Sequence, residues 1–94
     1  ETKMPKLRAR VVHKASGRVM EMLTNQPCVQ FYSGNFLTNA KYPFKNNCSQ
    51  NKQMAFCLET QHMPDAINHS NFTNVILNPE EKYDYTTIYK FYAE

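Results

Sequence analysis

The sequence predicts an all-β chain. Three observations carry that expectation. Apolar residues recur with period two rather than 3.6 in most apolar stretches, most clearly from Tyr83 to Phe91. Turn residues interrupt those stretches at short intervals, and no segment shows helical periodicity over an ordinary helix length. The chain has 94 residues, which bounds it to one small domain with a modest core.

Taken in order, Lys6 to Lys14 reads as a strand built on Val11-Val12, and Gly17 to Thr24 as its hairpin partner, with Ala15-Ser16-Gly17 as the turn. Pro27 opens a strand over Cys28-Val29-Gln30-Phe31-Tyr32, and Ser33-Gly34-Asn35 closes it. There are only two glycines, Gly17 and Gly34, and they mark the tightest backbone positions. Thr38 to Lys52 is rich in Asn, Lys, Gln and Ser, and reads as a long surface loop. A strand follows over Phe56 to His62, stopped by Pro64, and then a second loop from Pro64 to Asn74. Val75-Ile76-Leu77 reads as a short buried strand. The turn at Pro79-Glu80 is expected to be type I, because a positive φ at Glu80 would cost about 1–2 kcal/mol. In the last strand Tyr83, Tyr85, Thr87, Tyr89 and Phe91 share a face, and an aromatic strand face is more often core than ligand platform. About six strands with long loops make a poor free-standing sandwich, so the chain reads as an incomplete piece whose other strands come from elsewhere.

The totals exclude several function classes. A net charge of +3 is mild, and Lys6, Arg8 and Arg10 alternate with apolar residues as on a solvated strand face, which is no phosphate-binding stripe. No apolar run approaches the roughly 18 residues that span a bilayer. The chain begins at Glu1 rather than Met, as a processed product or a piece of something longer does. The three cysteines, Cys28, Cys48 and Cys57, match neither a disulfide framework nor a zinc spacing. Cys28 and Cys57 read as small core residues and Cys48 as an exposed thiol or disulfide partner. The sequons at Asn47, Asn68 and Asn71 are candidate N-glycosylation sites and hint at a secretory route.

One residue calls for a chemical reading. Glu59 sits on a strand beside Phe56, Cys57 and Leu58, where a carboxylate is costly to bury unless it is paired or used. Alternation sends Phe56, Leu58 and Thr60 one way and Cys57, Glu59 and Gln61 the other. Taken by itself, such a Glu is more often an ordinary solvated strand carboxylate than a catalytic one. His62, just past the strand end, suits hydrogen-bonding support better than proton transfer, while His13 and His69 read as surface residues.

Four stretches in order resemble the C-terminal part of the aldose 1-epimerase family: Gln26 to Leu37, Phe56 to Asp65, Asn68 to Phe72, and Leu77 to Tyr83 running into Thr86 to Phe91. The resemblance implies that residues 1–94 form one segment, about the final third, of an antiparallel β-supersandwich, with no separate domains. It implies an isomerase that interconverts α and β anomers of aldohexoses, with Glu59 as general base and Gln30 contacting the sugar. No metal or cofactor is implied. The partners are the sugar and the remaining N-terminal portion of the fold, from the same protein or a companion chain, with no nucleic acid or membrane. The resemblance implies a cytoplasmic protein, while the three sequons and the start at Glu1 leave a secreted one open.

Two groups on opposite sides of the sugar suffice for such chemistry. A carboxylate in a partly apolar cleft takes up a proton more readily, and Gln offers both a donor and an acceptor to hydroxyls. None of the three histidines falls in the family's general-acid motif. Cys28 stands where the family usually has Gly, Gln53-Met54-Ala55 where it commonly has His-x-Gly, and Pro79-Glu80 where it has Pro-Gly. The alternatives are a carbohydrate-binding protein that has lost catalysis, and a structural or assembly module on the same fold.

Overall fold

The computed structural model describes residues 3–38 and 41–94. Expectations that touch Glu1, Asn39 or Ala40 lie outside them. Among the described residues five strands form: β1 (Lys6–His13), β2 (Arg18–Thr24), β3 (Cys28–Tyr32), β4 (Cys57–Gln61) and β5 (Thr87–Ala93). The only helical elements among the described residues are two short 3-10 turns, Lys45–Asn47 and Ala66–Asn68, so the class is all-β as expected. The chain divides into two compact units, one of Glu1–Val29 with Thr60–Glu94 and one of Gln30–Glu59.

In the first unit an antiparallel sheet runs in the order β1-β2-β5. The hairpin between β1 and β2 closes as the glycine predicts. Gly17 has φ +70°, the Ser16 amide donates to the His13 carbonyl at 3.1 Å, and the Glu94 amide donates to the Gly17 carbonyl at 2.9 Å. A side chain at Gly17 would run into the Glu94 carbonyl.

Central strand β2 carries the core, with Met22 and Thr24 fully buried on one face and Val19 on the other. Register is keyed by a charge row in which Arg10 pairs Glu21 and Glu21 pairs Lys90. The Glu21 carboxylate accepts from the Tyr92 hydroxyl at 2.9 Å and lies 3.6 Å from the Arg10 guanidinium and 3.8 Å from the Lys90 ammonium. Opposite charges directly across a ladder favour this register over its slips.

Three expectations are corrected. Val75-Ile76-Leu77 is not a buried strand: its residues are 36%, 56% and 56% exposed and outside any ladder. The Ile76 amide is instead taken by the Asn74 side chain at 3.0 Å, the local competition that asparagine offers to a ladder. The last strand starts at Thr87 rather than Tyr83, because its partner β2 ends at Thr24, which pairs Thr87. Beyond that point the Thr86 amide turns to the Asn25 side chain at 2.8 Å, and Tyr83 and Tyr85 pack on each other at 4.8 Å between centroids.

The third correction is the turn at Asn78-Pro79-Glu80-Glu81, where Glu80 has φ +72°. The Glu81 amide donates to the Asn78 carbonyl at 3.2 Å. A proline at the second position and positive φ at the third define a type II turn rather than type I. The turn is held by a reciprocal bond, the Asn78 amide donating to the Glu81 carboxylate at 2.9 Å, which holds that carboxyl below the usual glutamate range. A depressed carboxyl supports the fold above its unfolded value, and that support fades as pH falls through the folded one. We expect Glu80→Gly to stabilise the protein by about 1 kcal/mol, read as a raised chemical-denaturation midpoint, since glycine takes this φ freely. An unchanged or lowered midpoint would show that the backbone is not strained there.

Candidate functional site

Strands β3 and β4 are hydrogen-bonded neighbours in a second, two-stranded sheet. Their parts within the second unit carry Gln30 and Glu59. Leu58 is 9% exposed, whereas Cys57 and Glu59 on either side are exposed, which is the alternation of a half-buried strand. On the facing strand Phe31 meets Phe56, with ring centroids 6.2 Å apart. That contact puts Phe31 on the Phe56–Leu58 side. Period two then turns Gln30 and Glu59 together to the other side.

The apolar neighbours of Glu59 therefore do not enclose it. The burial penalty that singled it out from sequence is absent, because Leu58 takes the inner face and the carboxylate the solvated one. Cys57 is exposed for the same reason, not a core thiol, while Cys28 is half-buried and Cys48 exposed; all three are free. The Gln30 side-chain amide donates to the Phe31 carbonyl at 3.2 Å.

The segment between the strands is clamped at Gly34, which has φ +76°. Its carbonyl accepts from the Leu37 amide at 3.2 Å and the Gln53 amide at 2.9 Å. The Gln53 side chain also donates to Asn35 at 2.8 Å, and the Tyr32 hydroxyl accepts from the Phe36 amide at 2.9 Å. Gln53 stands in the stretch that departs from the His-x-Gly of the resembled family, and here that residue fastens the loop to the end of β3.

The histidines fall in the first unit. His62 pairs with the Tyr85 hydroxyl at 3.1 Å and meets its ring edge-on at 5.1 Å. His13 pairs with the Ser16 hydroxyl at 2.7 Å and His69 with Asp65 at 3.0 Å, both on the surface. Asn47, Asn68 and Asn71 are exposed, and Asn68 already donates to the Asp65 carboxylate. No group of three or more metal-ligating side chains occurs among the described residues. A cavity of about 580 Å³ in the first unit is lined by Arg8, Gln26, Lys82, Asp84 and Tyr85 among others, and neither Gln30 nor Glu59 lines it.

Sequence reasoning passed over a set of threonines, the buried Thr24 and the half-buried Thr60 and Thr87, whose hydroxyls meet in the first unit. They lie far apart in the chain, and no local pattern joins them.

Comparison with known proteins bears on what these strands belong to. The chain is similar to galactose mutarotase of Homo sapiens, at 54% identity over 83 residues, 88% of this chain and 24% of that protein. Galactose mutarotase of Rattus norvegicus is 48% identical over 91 residues, covering 97% of this chain and 26% of the relative. Aldose 1-epimerase of Escherichia coli (strain K12) is 34% identical over 77 residues, 80% of this chain and 22% of the relative. The chain thus spans about a quarter of the length of these relatives, less than the third expected. The family model for aldose 1-epimerase matches residues 1–90, and the chain belongs to the aldose 1-epimerase family.

Proposed function

We propose that this chain supplies one wall of the sugar site of an aldose 1-epimerase, in which Glu59 is the general base and Gln30 a hydroxyl contact. The observation that carries the reading is the shared face: β3 and β4 are neighbours, and Gln30 and Glu59 turn to the same solvated side. The family match supports the reaction class. The rest of the site comes from the N-terminal portion of the fold, in the same protein or a companion chain.

In this reading the Glu59 carboxylate takes the proton of the C1 hydroxyl of an aldohexose. The C1–O5 bond breaks as its electrons move to the ring oxygen, which receives a proton from an acid outside this chain. Rotation about C1–C2 and the reverse transfers close the ring as the other anomer. A base on a rigid strand keeps its place through both halves of this cycle.

The solvated setting of Glu59 favours one competing reading, a carbohydrate-binding protein without turnover. Anomerisation of α-galactose, followed by polarimetry or NMR on the completed protein, separates the two. We expect a rate well above buffer. Sugar binding with no rate above buffer would leave the binding protein.

A further inference from the structure

We infer that Thr60 is a positioning residue for Glu59, held by a one-way chain of hydroxyl hydrogen bonds through Thr87 to Thr24. The inference rests on the reading of Glu59 as the base. Three hydroxyls meet at 3.1 Å (Thr24 to Thr87) and 2.6 Å (Thr87 to Thr60), all within the first unit.

The direction of the chain follows from counting protons. A threonine hydroxyl has one hydrogen to give and two lone pairs to receive with. Thr24 is fully buried, and its oxygen lies 3.1 Å from the Thr86 carbonyl, which can only accept. Its hydrogen is therefore spent there. The Gln26 amide donates to Thr24 at 3.1 Å, which occupies one lone pair. The Thr87 contact must then be a donation from Thr87 to Thr24. That spends the hydrogen of Thr87, so Thr60 donates to Thr87. In this orientation every hydroxyl hydrogen in the row has an acceptor within the protein.

The consequence for Glu59 is one of parity. Thr60 follows it on β4, and successive strand side chains point to opposite faces. A Thr60 hydroxyl held by Thr87 fixes which face the even residues of β4 take, and so sends Glu59 to the other. The strand has only five residues and one buried apolar side chain, Leu58, to specify the same choice. A slip of one residue would carry Glu59 to the wrong face, and a smaller tilt would move its carboxylate away from the C1 hydroxyl. β5 and β2 are good anchors, because Thr87 and Thr24 are register partners in the ladder.

The test is Thr60→Val in the completed protein, which removes one hydroxyl and leaves no donor without an acceptor. Per folded molecule, kcat for anomerisation should fall about tenfold with KM unchanged, and Thr60→Ser should restore it. Thr87→Val cuts the same row one link further from β4 and should reproduce the kcat loss. A merely structural threonine would lower Tm and leave kcat per folded molecule at the wild-type value, and that result in either Val variant overturns the inference. Glu59→Gln run alongside separates the two levels. If it keeps full turnover, the base assignment fails and this inference with it. If it abolishes turnover while Thr60→Val keeps wild-type kcat, the positioning role alone fails.

Discussion

Glu59→Gln should lower kcat for anomerisation by about 10²- to 10⁴-fold, the range that a positioned general base contributes. The substitution keeps the shape of the side chain and its hydrogen-bonding capacity but removes the group that takes the C1 proton. Because Glu59 is exposed on its strand and Leu58 carries the packing, the fold should tolerate the change. Chemical denaturation should therefore give a midpoint close to wild type. Sugar affinity should also change little, since an amide still meets a hydroxyl. Full turnover in the variant would mean that the base is elsewhere, and a lost fold together with lost turnover would mean that Glu59 is structural.

Most of the strand frame was legible because the breaks carry chemistry. Gly17 and Gly34 sit at positive φ, Pro27 stands before β3, and the expected bounds of β1 to β4 are close to those observed. What was not legible depends on partners far along the chain. Tyr83 and Tyr85 continue the alternation of β5, yet no ladder reaches them because β2 has ended at Thr24. Val75-Ile76-Leu77 has the composition of a strand, but Asn74 takes the backbone donor that a neighbour would need. At Glu80 the strain argument was sound and its conclusion was not: the reciprocal bonds between Asn78 and Glu81 hold the type II turn despite the side chain.

The candidate site was partly legible in the same sense. Strand alternation correctly separated Leu58 from Glu59. Apolar neighbours in sequence were a poor guide to burial, because in a strand the adjacent residue is the one that faces away. The facing of Gln30 needed the Phe31–Phe56 contact, which joins residues from either end of a long loop. The threonine row needed three strands at once.

Gly34→Val should be the most damaging single change to the scaffold that bears Gln30 and Glu59. Gly34 is buried, at φ +76°, in the left-handed region that a β-branched residue resists most. A Cβ there would lie 2.5 Å from the Ala55 carbonyl oxygen and 2.9 Å from a Leu37 methyl. The first neighbour is backbone and cannot rotate away, so the segment leading into β4 must shift. That shift also strains the two bonds that the Gly34 carbonyl accepts, from the Leu37 and Gln53 amides. Backbone strain of about 1–2 kcal/mol and overpacking of about 1–3 kcal/mol add to roughly 2–5 kcal/mol of lost stability. Urea denaturation of the completed protein should show a lowered midpoint, and turnover per folded molecule should fall with it, because the loop joins the strands of the base and the sugar contact. Gly34→Ala should lose less, since it keeps the φ penalty but lacks the branched methyls. Equal midpoints for wild type and Gly34→Val would mean that the clamp is not needed to hold the site.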